Sequence, residues 1–394
     1  MLRKLGPGII TAALVFGPGS LTITTKLGSE FGNAMLWVII VAVIFMISYT
    51  NMAARIGMSS KDTLMQLVRM HWGKILTMAL GIGIFLISSS FQAGNSIGAG
   101  LAFAELTGTS IAPWVLFFSG SAIVLLFFRS FYRILEKLMI GLVLIMLASF
   151  LLTIIMSRPN FAAILKGLVP SVPEGSLFLS IAIMASSFSV VGAFYQSYLV
   201  QEKGWLSSNA KSAVRESTSG IIILGLLSSM VLLCASAVLY QQAIPVNTAS
   251  DLGLALQPLF GNFTSIAFMV GFFAASFSSL IGNATIGGAL LADAFGLGQQ
   301  LSSQSVRRLI ALVIIAGAAI ALQFGSLPLQ LIIFAQAITI VIAPLAALAI
   351  LMIANKQSIM GNLTNTRKQN VLPVIGLITL IILAIYNMKT IFFS

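Results

Sequence analysis

The sequence predicts an all-α polytopic membrane protein. Three observations carry that prediction: the composition, the spacing of the apolar segments, and the side of the membrane on which the basic residues fall. Of the 394 residues, 58% are hydrophobic and 8% charged, with a mean hydropathy of +1.06, too apolar for a soluble domain. A bilayer core offers no water to satisfy backbone groups, so such a chain crosses as helices of about 18 residues or more. The net charge of +12 fits cytoplasmic loops rather than a nucleic-acid surface, because no basic run is interleaved with aromatics. The single cysteine, Cys234, excludes an internal disulfide. Arg3-Lys4 leads into an apolar stretch without a small-residue cleavage site, so no secretory leader is expected.

Taken in order, eleven apolar segments qualify as spans: Gly8–Glu30, Met35–Arg55, Ile75–Glu105, Trp114–Phe128, Leu138–Met156, Leu177–Gln201, Gly220–Tyr240, Thr264–Ala292, Leu309–Gln323, Leu327–Ile353 and Val371–Tyr386. Trp114–Phe128 and Leu309–Gln323 are short. Between the second and third, Ser60–Trp72 reads as an amphipathic helix on the cytoplasmic surface, with Leu64, Leu67 and Val68 on one face and Lys61 and Arg69 on another. With the amino terminus inside, the outer side keeps only Arg158, Lys166 and Lys389 of the 21 lysines and arginines, and Lys26 lies within a span. That bias predicts a multi-pass protein of the cell membrane, amino terminus cytoplasmic and carboxyl terminus extracellular. The longest outer loops, Ser157–Ser176 and Gln241–Phe263, contain prolines and few basic residues.

Two spans are interrupted. Gly17-Pro18-Gly19-Ser20 places a helix breaker mid-span, and freed backbone groups at bilayer depth are tolerated only where protein or a water-filled cavity satisfies them. Five spans later, Ala185-Ser186-Ser187-Phe188-Ser189-Val190-Val191-Gly192 gathers three serines and a glycine. Small residues in a span also permit close helix packing. Breaks at matching positions of two five-helix halves nevertheless point to a transporter of inverted repeats with its substrate at the midplane. The repeats are expected at residues 1–156 and 157–353, followed by an inner loop and eleventh helix at 354–394.

Leu5-Gly6-Pro7-Gly8 followed by Gly17-Pro18-Gly19-Ser20, then Ser197-Tyr198-Leu199-Val200-Gln201 and Ser278-Ser279, give a motif order that resembles the natural-resistance-associated macrophage protein (Nramp) family of metal transporters. The resemblance covers nearly the whole chain. It implies the leucine-transporter fold, with a 5+5 inverted repeat, an eleventh helix, and a site between the first and sixth helices. It also implies departures. Gly17 stands at the family's metal-binding aspartate and Ser20 at its asparagine, while Ser189-Val190-Val191-Gly192 replaces Met-Pro-His-Asn. The thioether that favours transition metals is lost with the imidazole. Gln92 and Asn95 occupy the places of an aspartate and a glutamate on the family's proton route, and amides do not carry protons near neutral pH.

The spans contain only two acids, Glu30 and Glu105, both near an outer end. Two helix starts facing each other present amide donors and positive dipole ends. With hydroxyls and no carboxylate, a substrate site of Gly17, Pro18, Gly19, Ser20, Thr22, Ser186, Ser187, Ser189 and Gly192 favours a small inorganic anion, bicarbonate first, in a pocket narrowed by Phe16, Phe188 and Val191. Import against a negative interior needs a driving ion. Ala275, Ser278 and Ser279, with carbonyls near Val15 and Pro18, supply hard oxygen ligands for sodium, so sodium symport is expected. The alternatives are a divalent magnesium or manganese transporter using carbonyls, hydroxyls and retained water, and a membrane sensor that no longer transports. Lys26 either draws anions toward the site or pairs with Glu30 at i,i+4. Asp293 and Arg307-Arg308 read as gate or headgroup contacts. His71, the sole histidine, lies in the cytoplasmic segment, far from Cys234. No enzymatic nucleophile and base pair, no cofactor and no transition-metal centre are therefore expected, and a monomer suffices to form the site.

Overall fold

The computed structural model describes residues 6–128, 130–242, 251, 253, 256–257, 261–324 and 329–393. Arg3, Lys4, Leu5, Arg129, most of the loop Gln241–Phe263 and the start of the expected tenth span at Leu327 lie outside the described residues. The helices are α1 Pro7–Val15, α2 Pro18–Phe31, α3 Leu36–Ser59, α4 Leu64–Thr107, α5 Ile111–Leu126, α6 Phe131–Ser157, α7 Phe161–Gly167, α8 Leu177–Ser187, α9 Val190–Glu202, α10 Ala210–Val238, α11 Asn262–Phe295, α12 Gln304–Phe324, α13 Leu329–Ala354, α14 Gln357–Met360 and α15 Arg367–Phe393. Among the described residues, 8 helices are long and apolar enough to span a membrane, 2 bent pairs add a span each, and Ile111–Leu126 is a shorter apolar helix. Together they occupy the places of all the expected spans.

Proline sets the start of both halves of the first span. Pro7 and Pro18 sit in the first turns of α1 and α2, where a missing N–H costs nothing and φ is preset. The halves are bent by 63°. The sixth span is divided between α8 and α9 at Phe188 (φ −92°, ψ 64°) and Ser189 (φ −76°, ψ 87°).

Several elements differ from the sequence expectation. The amphipathic segment and the third span form one 44-residue helix, bent at Gly73 with φ 82°, a conformation that suits glycine alone. A capping box between Thr63 and Gln66 starts it, and Leu64, Leu67 and Val68 are buried. The outer loop after α6 contains a short helix, α7, capped by the Asn160 side chain. Finally, α10 begins at Ala210 and α11 runs to Phe295, beyond the expected Gly220 and Ala292. Those extra turns carry Glu216 and Asp293 into the buried bundle, with 5% and 4% exposure.

Helix association in lipid lacks a hydrophobic drive and relies on close packing and hydrogen bonds. A Cβ built on Gly220 would lie 2.2 Å from the Gly8 carbonyl carbon and oxygen, so α1 and α10 touch backbone to backbone. Polar side chains add to that grip. The Thr11 hydroxyl donates to Gln196 Oε1, and Gln196 Nε2 donates to Ser217 Oγ at 2.7 Å, joining α1, α9 and α10. On the other side, α11 packs against α4, α6 and α12, which sets the wall of the cavity described next.

Candidate functional site

Both breaks open onto one cavity. It has a volume of about 60 Å³ and is lined on its polar side by Gly17, Gly19, Ser20, Asn95, Ser186, Ser189, Ser279, Asn283 and Thr339. Leu14, Val15, Ile87, Phe91, Ala185, Val191 and Ile286 complete the wall. About 10–15 Å³ of such space suffices for one water, so the cavity has room for a small ion with a few waters.

The two breaks are tied together by a hydroxyl pair. Ser20 Oγ donates to the Val15 carbonyl at 3.2 Å, which leaves Ser186 as the donor in the Ser20–Ser186 hydrogen bond. Gly17 N also donates to Val15 O at 3.1 Å. Ser189 caps α9, its Oγ accepting from Gly192 N at 3.3 Å. The end of α1 is held from α11: Ser278 Oγ donates to Ala13 O at 2.8 Å, and Ser279 Oγ reaches Ala13 O at 3.3 Å and Leu14 O at 3.2 Å. Ser278 Oγ also reaches the Ala275 carbonyl at 3.0 Å. Of the groups expected to surround sodium, Ser278 thus bonds the Ala275 carbonyl, while both serines donate to Ala13, and Ser279 also to Leu14, rather than to Val15 or Pro18.

Several predicted site residues face elsewhere. Thr22, Ser187 and Gly192 are buried but do not line the cavity, and neither does Pro18. A Cβ on Gly192 would lie 2.7 Å from Val15 Cγ2, so this glycine admits a close contact rather than a ligand. Phe16 stacks edge-on with Phe150, and Phe188 packs on Phe45 and Tyr49. Phe91 takes the narrowing role expected of them. Sequence reasoning also missed Asn283 and Thr339. Asn283 was findable, because it follows Ser279 by four residues on one helix and so shares its face.

The proton-route positions are joined by hydrogen bonds to α11. Gln92 Nε2 donates to Leu280 O at 2.7 Å, and Asn95 Nδ2 donates to Gln92 Oε1 and Ser279 O, both at 3.2 Å. Neither side chain is more than 4% exposed. Of the remaining candidates, Lys26 pairs with Glu30 at 3.5 Å. Arg307 bonds the Leu301 and Phe128 carbonyls, and Asp293 accepts from the Thr63 and Tyr198 hydroxyls. Among the described residues, no three His, Cys, Asp or Glu side chains group as a metal site.

The sequence profile described as natural resistance-associated macrophage protein-like matches residues 8–390. The chain belongs to the Nramp family. Nramp proteins are membrane transporters, and this one is 26% identical to the divalent metal cation transporter MntH of Chromohalobacter salexigens over 92% of this chain and 85% of that protein. Identity to the Deinococcus radiodurans protein of the same name is also 26%, over 98% of this chain and 89% of the relative. Among solved structures, the Eremococcus coleocola manganese transporter superposes with a TM-score of 0.78 at 25% identity, covering 99% of this chain and 86% of that one. Mhp1, a nucleobase-cation-symport-1 family transporter, superposes at 0.60 with 15% identity, covering 98% and 92%. The fold is the leucine-transporter fold.

These Nramp relatives overturn the expected substrate. Bicarbonate import with sodium symport does not stand, because the relatives matched along nearly the whole chain are divalent metal cation transporters, and a small inorganic anion is no longer the partner. The physical error was to count only helix starts. Each break also holds a helix end, α1 at Val15 and α8 at Ser187, whose last carbonyls carry the opposite partial charge. The starts are depleted of donors as well: Pro18 has no N–H, and Ser189 Oγ already takes the Gly192 amide. The sodium drive was invoked only to bring an anion in against a negative interior.

Proposed function

We propose that this Nramp protein carries a divalent metal cation, magnesium or manganese, through the cavity between the two broken spans. The observation that carries the reading is the match to the family over residues 8–390, with relatives of that named activity over nearly the whole chain. The cavity then chooses among metals. Among the described residues, its polar lining consists of hydroxyls, side-chain amides and backbone groups, with no thiolate, thioether, imidazole or carboxylate. Such a set suits a hard cation that keeps part of its water shell.

The carbonyl ends of α1 and α8 and the oxygens of Ser20, Ser186, Ser189 and Ser279 replace part of that shell, and the remaining space holds water. A cation moving inward gains about 2.3 kcal/mol per charge per 100 mV of interior-negative potential, so uptake needs no co-ion. The amino terminus lies on the cytoplasmic side of the cell membrane and the carboxyl terminus outside, a reading supported by the bias of the basic residues. Residues 1–156 and 157–353 act as the two repeats, each supplying one break.

The test is uptake into proteoliposomes holding the purified chain, with manganese and magnesium offered separately under an interior-negative potential. Protein-dependent accumulation of either metal, abolished when the potential is collapsed, is the expected result. Absence of both signals from protein that is folded and correctly inserted would overturn the reading.

A further inference from the structure

The orientation of an amide side chain is set by what its two ends meet, and here both ends are determined. The Leu280 carbonyl can only accept, so the Gln92 atom 2.7 Å from it is the NH2 group. Gln92 Oε1 therefore faces Asn95, and the Asn95 atom 3.2 Å away is its nitrogen. That same nitrogen lies 3.2 Å from Ser279 O, a second group that can only accept. Two acceptors thus prevent the Asn95 amide from flipping.

The remaining end of Asn95 is its oxygen. A Cβ built on Gly17 would lie 3.2 Å from Asn95 Oδ1, so this oxygen points at the first break, and Asn95 lines the cavity. Neither of its hydrogen bonds uses Oδ1. The side chain is only 4% exposed, so this is a deeply placed acceptor aimed into a space shared with Ser20, Ser186 and Ser279.

We propose that Asn95 is a cation ligand of the cavity, its oxygen held toward the first break by Gln92. This rests on the cation reading above and adds a ligand from α4 that neither break supplies. Gln92 is a positioning residue, because it acts through Asn95 rather than touching the ion. A neutral oxygen binds a dication less tightly than a carboxylate does, and it leaves the ion free to retain water.

Titration calorimetry on the purified full chain, with manganese and magnesium chloride as the probes, tests the proposal alongside the uptake assay. Asn95→Leu should raise the metal Kd about tenfold, and Asn95→Asp, which keeps the shape and adds charge, should lower it by about the same factor. Gln92→Leu should weaken binding by up to about tenfold, and combining it with Asn95→Leu should cost no more than Asn95→Leu alone. That non-additivity distinguishes positioning from general loosening of α4. If wild type binds metal while Asn95→Leu and Asn95→Asp both stay within about twofold of it, the ligand assignment fails and the transport reading survives. Fully additive losses would remove Gln92 from its positioning role. Wild type that neither binds nor carries either metal would overturn the transport reading, and this assignment with it.

Discussion

At the centre of the bundle, the cavity between the two broken spans is lined, among the described residues, by hydroxyls and amides without a carboxylate. At the end where α1 and α10 begin, two carboxylates are buried about as deeply. Glu216 Oε1 accepts from Gly6 N at 2.9 Å and Ile9 N at 3.3 Å, and Oε2 accepts from Gly8 N at 2.8 Å. Asp293 accepts from Thr63 and Tyr198. The contrast shows where this fold keeps fixed negative charge. The start of α1 offers orphan amides and a positive dipole end that satisfy a carboxylate outright. At the centre the hydroxyls and amides lining the cavity offer a carboxylate no such row of orphan amides, and the site is left neutral. Charge here builds the scaffold, and neutral oxygens face the cargo.

The largest expected effect comes from removing the scaffold charge. Glu216→Ala strands the amides of Gly6, Gly8 and Ile9 and should destabilise the protein by on the order of 3 kcal/mol, read as a lowered unfolding midpoint in detergent. Glu216→Gln keeps one acceptor and turns the other into a donor, so it should recover only part of that loss. Asp293→Ala leaves the Thr63 and Tyr198 hydroxyls without their acceptor and should cost about 2 kcal/mol by the same measurement. If either alanine variant proved as stable as wild type, the distinction between scaffold charge and neutral centre would collapse.

At the centre, crowding rather than charge should dominate. A Cβ on Gly17 would lie 2.6 Å from Ser279 Oγ, so Gly17→Ala should cost about 1–2 kcal/mol by overpacking and depress metal uptake more than stability. Adding Ser279→Gly should restore room and part of the uptake; no recovery would place the defect elsewhere. The smallest effect belongs to the outer pair. Glu30 is 44% exposed in its ion pair with Lys26, so Lys26→Ala should change stability by no more than about 0.5 kcal/mol. An uptake loss greater than that small change implies would return Lys26 to the transport path.

The spans and both breaks were legible because apolar length, Gly-Pro-Gly and clustered serines act locally. Which way a side chain points from a half-helix was not. Thr22 lies two residues beyond Ser20, about 200° around the helix at 3.6 residues per turn, and so faces away from the cavity. Ser187 is displaced about 100° from Ser186 for the same reason. Glu216 and Asp293 were missed because a charged residue lowers window hydropathy and ends a predicted span early, although burial against helix starts makes each one part of the bundle. Asn95 was read only as a lost acid. Its role depends on partners in α11, far away in sequence.

Because three amide protons at the start of α1 bond to a single side chain of α10, their hydrogen exchange reports on the separation of those two helices. When the helices part, Gly6, Gly8 and Ile9 lose their acceptor in one event and should exchange together. The chain thus carries its own reporter of when the first half-helix moves, readable by mass spectrometry without a label and without knowing which ion is bound.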